Sequence, residues 1–67
     1  MESIGERLPK EQKRVREILG HYKEIGLPGI FGAMMIEQSL EAADKAVISG
    51  DVADMILAYK DLVDITG

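Results

Sequence analysis

The sequence predicts an all-α protein, a compact three-helix bundle that ends in a tight antiparallel helical hairpin. Apolar residues recur at steps of three and four through three stretches, no alternating strand pattern of useful length appears, and two glycine-centred breaks divide the chain. Helices are expected over about 9–25, 30–49 and 52–65. Residues 1–8 are read as an N-terminal tail and residues 9–67 as a single domain.

The first helix is placed from Pro9, which suits an opening turn because its missing N–H would have had no helical partner there. Val15, Ile18, Leu19, Tyr22 and Ile25 form its stripe, which Leu8 either extends or meets as a staple. Gly20 lies off the stripe, where glycine costs up to about 1 kcal/mol, a cost that fits the close approach of another backbone. Gly26, Leu27, Pro28 and Gly29 then break the helix, since glycine can adopt the left-handed conformation of a cap and proline cannot continue the helix.

The second helix, central to the domain, has a main seam of Ala33, Ile36, Leu40, Ala43 and Val47. A flank of small residues, Gly32, Ser39, Ala42 and Ala46, invites a neighbouring helix to approach closely. Glu37, Glu41, Asp44 and Lys45 mark the wet side, with Ile30 and Met34 at its N-terminal end. Ser49, Gly50 and Asp51 make the second break. Glycine suits the exit, and the Asp51 carboxylate can accept from the free N–H groups that open the next helix. So short a turn makes its two helices antiparallel neighbours. The third helix is expected to point Val52, Met55, Ile56, Tyr59, Leu62 and Val63 inward, and Asp54, Leu57, Lys60, Asp61 and Asp64 outward.

Composition narrows the class. Sixty-seven residues form one small domain, which hides only about 60% of its unfolded surface on folding. Chains of this size commonly rely on disulfides, metals or self-association. The absence of cysteine removes disulfides and argues against structural zinc, which leaves self-association. The 46% apolar and 30% charged content is that of a folded domain rather than a disordered one. With no apolar run near the roughly 20 residues of a membrane span and no apolar leader in MESIGERLPK, a cytoplasmic protein is expected. The net charge of −4 is uneven. Residues 1–25 carry six basic side chains against five acidic ones, whereas the remainder sets Lys45 and Lys60 against seven acids. Such asymmetry either orients a partner or reflects a solvated face on each helix.

Catalytic and ligand-binding patterns are sought and not found. His21 has no cysteine to pair with, and Glu17, one turn before it, is one carboxylate where a metal site needs several. The serines lack a glycine elbow, and the pairs Glu37/Glu41 and Asp61/Asp64 lie on wet faces. The glycines of GLPGIFG lack the lysine and hydroxyl residue of a phosphate loop and follow no strand, so helix breaking explains them. Lys10, Lys13 and Arg14 alternate with Glu11 and Glu17, with no aromatic residue to stack bases, so nucleic acid is not expected as a partner. No enzyme, cofactor or small-molecule substrate is expected.

The segment LEAADKAVISGDVADMILAYKDL resembles the hairpins of tetratricopeptide and microtubule-interacting-and-trafficking proteins, where small residues, a Gly-Asp turn and a tyrosine recur, although no second repeat follows. More broadly, EQKRVREILGHYKEIG followed by FGAMMIEQSLEAADKAVISGD resembles small helical proteins of bacteriophage and prophage genomes. That likeness spans residues 11 to about 62 and rests on hydrophobic spacing and turns. It implies a bacterial or phage setting and transfers no functional residue.

One segment points to a function. At about 100° per residue, Ile36 and Leu40 fall on one side of the second helix, Phe31 and Met35 on another, and Ile30 and Met34 on a third. A helix apolar all round needs neighbours on every side, and two other helices cover only two of them. Leu27, Ile30, Phe31, Met34 and Met35 are therefore the candidate protein interface. The expected function is a non-catalytic protein–protein interaction module, self-associating in its simplest form. The alternative is a small phage regulator or inhibitor that docks on a host protein or nucleic-acid complex through this patch and an acidic face. A fold-back of the chain around Ile4 onto Ile30 and Met34 would satisfy the same residues without a partner.

Overall fold

The computed structural model describes residues 2–66, which form α1 (Ile4–Ile25), a 3-10 turn (Leu27–Gly29), α2 (Ile30–Ser49) and α3 (Val52–Val63). Each α-helix packs on the other two, and no strand occurs among the described residues. The result is an all-α three-helix bundle. The short connections make α2 antiparallel to both neighbours, so α3 runs beside α1.

α1 begins five residues before the proline that was expected to open it. Ser3 precedes it, accepting from the Glu6 and Arg7 N–H groups through its carbonyl, and Pro9 lies within the helix. The residues read as a tail from 4 to 8 are thus helical. The cause is the stripe itself, which runs on toward the N-terminus through Ile4, Leu8 and Gln12 at steps of four. Leu8 is completely buried, and enclosing such a side chain contributes about 1.5–3 kcal/mol. Pro9 forfeits one bond on the exposed side of the helix, where water can serve the freed carbonyl of Gly5. Gln12 broke the apolar pattern and so escaped notice. It is buried, and its Nε2 donates to Asp44 Oδ1 of α2 at 2.7 Å, where Arg16 Nη2 also donates at 2.9 Å.

The second break forms as its residues dictate. Gly50 takes the left-handed conformation (φ 71°) and its N–H donates to the Ala46 carbonyl, while Asp51 Oδ1 accepts from the Asp54 N–H at 3.2 Å. Ala33, Ile36, Leu40 and Ala43 are buried as expected, but Val47 is exposed and Ala46 takes its place in the core. Among the residues expected inward on α3, Leu62 is fully buried and Met55 and Tyr59 pack on the core, whereas Val52, Ile56 and Val63 are exposed. Ala58 is buried instead. At 100° per residue this turns the inner face of α3 by roughly 60° from the expected one. Ile25, assigned to the α1 stripe, is also exposed because it lies past the reach of α3.

Arg14 holds α3 at that angle. Its Nη2 donates to the Leu62 carbonyl at 2.8 Å and its Nη1 to the Ile65 carbonyl at 2.9 Å, while Nε donates to Glu11 Oε2 at 2.8 Å. A cation thus closes the carbonyl end of α3, where the helix dipole favours positive charge. Replacing Arg14 with Met is expected to lower stability by about 1–3 kcal/mol, since charged hydrogen bonds to part-buried carbonyls are lost. Replacing the exposed Lys13 with Met should change little. Thermal melts of the two variants check this, and equal effects would mean that Arg14 is only surface charge.

Candidate interaction surface

The helices differ in length, with 22 residues in α1, 20 in α2 and 12 in α3. At 1.5 Å per residue α3 is about 18 Å long against about 33 Å for α1. The Arg14 contacts fix where α3 stops, near the middle of α1. Past the end of α3 the α1–α2 hairpin continues, met on one flank by Asp64, Ile65 and Thr66.

All five residues singled out in the sequence lie on this two-helix end, and all are exposed, from 44% for Ile30 to 82% for Phe31. Exposed Ile25 joins them, and the end of α3 with the residues after it, Asp61, Asp64, Ile65 and Thr66, reaches only the Tyr22–Met35 flank of this end. The interior of the tip is nevertheless tightly made. Gly29 is buried, and a methyl group there would stand 2.3 Å from the Tyr22 carbonyl oxygen; one at Gly32 would stand 2.4 Å from the Tyr22 ring. Glycine therefore lets α2 start flush against the end of α1, with the tyrosine ring lying across it. Gly32 thus permits the close approach expected of it, whereas Gly20 faces open space with nothing within 4 Å of an added methyl.

The exposed residues split around α2. Ile30 and Leu27 border a shallow cleft of about 390 Å³ with Tyr22, Lys23, Gly26 and Ala33, and Lys23 Nζ pairs with Glu37 Oε1 at 3.0 Å across the α1–α2 seam beyond it. Met35 lies on the other flank, where Tyr22, Gly32, Ile36 and Ser39 face the end of α3 in a cleft of about 340 Å³. Phe31 points directly away from the core between them. Ile4 lies at the far end of α1, beside Ile56 and Tyr59, so it does not fold back onto Ile30 and Met34.

Toward the opposite end of the bundle Ile48 of α2 and Val52 and Ile56 of α3 are exposed as well, the last two against expectation. Their signal was present in the apolar spacing of α3 but was read as core, because the stripe of that helix is wider than the face it buries.

The chemistry-bearing side chains do not converge. His21 and Glu17 are exposed, and among the described residues no group of three or more His, Asp or Glu side chains is placed to hold a metal ion. No buried side-chain nitrogen or oxygen among them lacks a hydrogen-bond partner. Lys10 donates to Glu2 at the surface and holds that carboxyl below its ordinary pKa. No helix among the described residues is long and apolar enough to cross a membrane. No protein-family model, curated protein or solved structure matches the chain.

Proposed function

We propose that this chain is a non-catalytic protein–protein interaction module of the phage or prophage type, acting in the cytoplasm and self-associating through Leu27, Ile30, Phe31, Met34 and Met35. One observation carries the reading. The end of the bundle where α1 turns into α2 presents these five large apolar side chains around α2, each 44–82% exposed. Monomeric proteins seldom leave so many large apolar side chains open at one end, and methionine adapts to irregular partners. The phage setting is supported by the resemblance of residues 11–62 in spacing and turns. A second reading, a small regulator docking on a host protein or nucleic-acid complex, is favoured by the exposed carboxylates of Glu41, Asp54, Asp61 and Asp64.

The double variant Ile30→Ser with Met34→Lys tests the proposal. Far-UV circular dichroism should remain helical while light scattering after size exclusion shows a dimer become a monomer. A wild-type monomer whose specific partner is lost in the variant would favour the regulator. An unfolded variant would place these residues in the core, and a folded one with unchanged assembly and partners would make the patch ordinary surface.

A further inference from the structure

Along the outer side of α2, Phe31, Met35, Gln38, Ala42, Lys45 and Ser49 follow at alternating steps of four and three, the spacing of a helix–helix seam. All six are exposed, on the side turned away from the core. The two halves of this seam have opposite relief. In the first half Phe31 and Met35 project, 82% and 70% exposed. In the second half the small side chains of Ala42, Ala46 and Ser49 on α2 and Ala58 on α3 leave a cleft of about 500 Å³, with Leu57 on its wall. Projection and recess lie along the same side of α2, the recess shared with α3, and Phe31 and Lys45 stand seven positions to either side of Gln38.

We infer that the surface receives a second copy of this chain, its α2 lying antiparallel on the first with a two-fold axis near Gln38. This rests on the reading that the chain self-associates, and it names the geometry. An isologous contact needs a patch that complements itself under a two-fold rotation. A projecting end and a recessed end at matched distances from Gln38 meet that need. The rotation carries each Phe31 and Met35 to the Ala42–Leu57 cleft of the other copy, so the match is made twice. It also brings the Lys45 ammonium of one copy to the Phe31 ring of the other, where a cation over the aromatic face is attractive. Asp54 and Asp61 stand on the cleft rim and are exposed.

The area is sufficient. Taking about 200 Å² for a fully open large side chain, Phe31, Met35 and Leu57 offer on the order of 400 Å² per copy. With Gln38, Ala42 and the Lys45 stem the contact approaches the roughly 800 Å² per partner of a standard interface. A foreign helix could enter the cleft, but it would leave Phe31 and Met35 without the recess that a second copy supplies.

The absence of cysteine makes a direct test available. In Gln38→Cys two thiols meet across the axis, and mild oxidation should convert the protein to a disulfide-linked dimer; Glu17→Cys, on the outer face of α1, should remain uncrosslinked. Ala42→Arg fills the recess from an exposed position and should raise the dimer dissociation constant by about 30-fold or more in sedimentation equilibrium, with the helical spectrum unchanged. A dimer that ignores Ala42→Arg and leaves Gln38→Cys reduced overturns the axis while self-association stands. A wild-type protein that is monomeric at millimolar concentration overturns both. In that case loss of a foreign partner in the Ile30→Ser, Met34→Lys variant decides whether the patch binds another protein.

Discussion

Replacing Leu8 with alanine is expected to destabilise the protein by about 2–5 kcal/mol, the cost of a large-to-small change at a fully buried site. A domain of this size has a stability of about 3–10 kcal/mol, at roughly 0.05–0.15 kcal/mol per residue, so the variant should lose a large share of it and unfold at a much lower urea concentration. Leu8 anchors the first turns of α1 against the core and holds in place the helix that Pro9 weakens. Leu57→Ala removes the same atoms from a side chain that is 64% exposed and should cost well under 1 kcal/mol in the monomer. Urea titration followed by circular dichroism separates the two. Equal midpoints would mean that residues 4–8 do not belong to the folded helix.

Two glycine-to-alanine changes are expected to move stability in opposite directions. Gly29 has an ordinary backbone conformation (φ −90°), so dihedral strain does not forbid alanine there; the obstacle is the methyl, which would fall 2.3 Å from a backbone oxygen. Backbone cannot yield as a side chain does. The 3-10 turn must shift away from Tyr22, at a cost of about 1–3 kcal/mol for an overpacked site. Gly20 lies within α1 with open space around it, and alanine there should stabilise by about 0.4–1 kcal/mol by restricting the unfolded chain. For a domain of this length each kcal/mol moves the melting midpoint by about 4–8 °C. Calorimetry should therefore find Gly29→Ala below the wild type and Gly20→Ala above it. If Gly29→Ala melts with the wild type, the close seating of α2 on Tyr22 is wrong.

The exposed apolar end was legible for one reason and incomplete for another. Phe31, Met34 and Met35 stood out because two neighbouring helices cannot enclose a helix that is apolar on three sides, an argument that needs only the angular spacing of residues. The cleft at Ala42, Ala46, Leu57 and Ala58 did not stand out, because a recess belongs to two helices at once and small residues on either one carry no mark of it. Leu57 read as an ordinary exposed leucine until Ala58 was found facing inward beside it. The exposure of Val52 and Ile56 was hidden by the same change in the angle of α3.

Local chemistry was enough for the breaks and for the first four residues of the inner seam, though not for its end, where Ala46 rather than Val47 is buried. The conformations open to Gly26, Pro28, Gly50 and Asp51 set where the helices end, and the three-and-four spacing of Ala33, Ile36, Leu40 and Ala43 identified the seam of α2 within single segments of the chain. Where α1 begins and which side of α3 is buried were decided only when the helices met. Pro9 argues for a start that the burial of Leu8 overrides, and the apolar stripe of α3 is wider than its contact, so Ala58 and the Arg14 bonds to the Leu62 and Ile65 carbonyls select its angle. Burial and capping between segments distant in sequence outweigh local preference there, and no single segment contains both sides of such a contact.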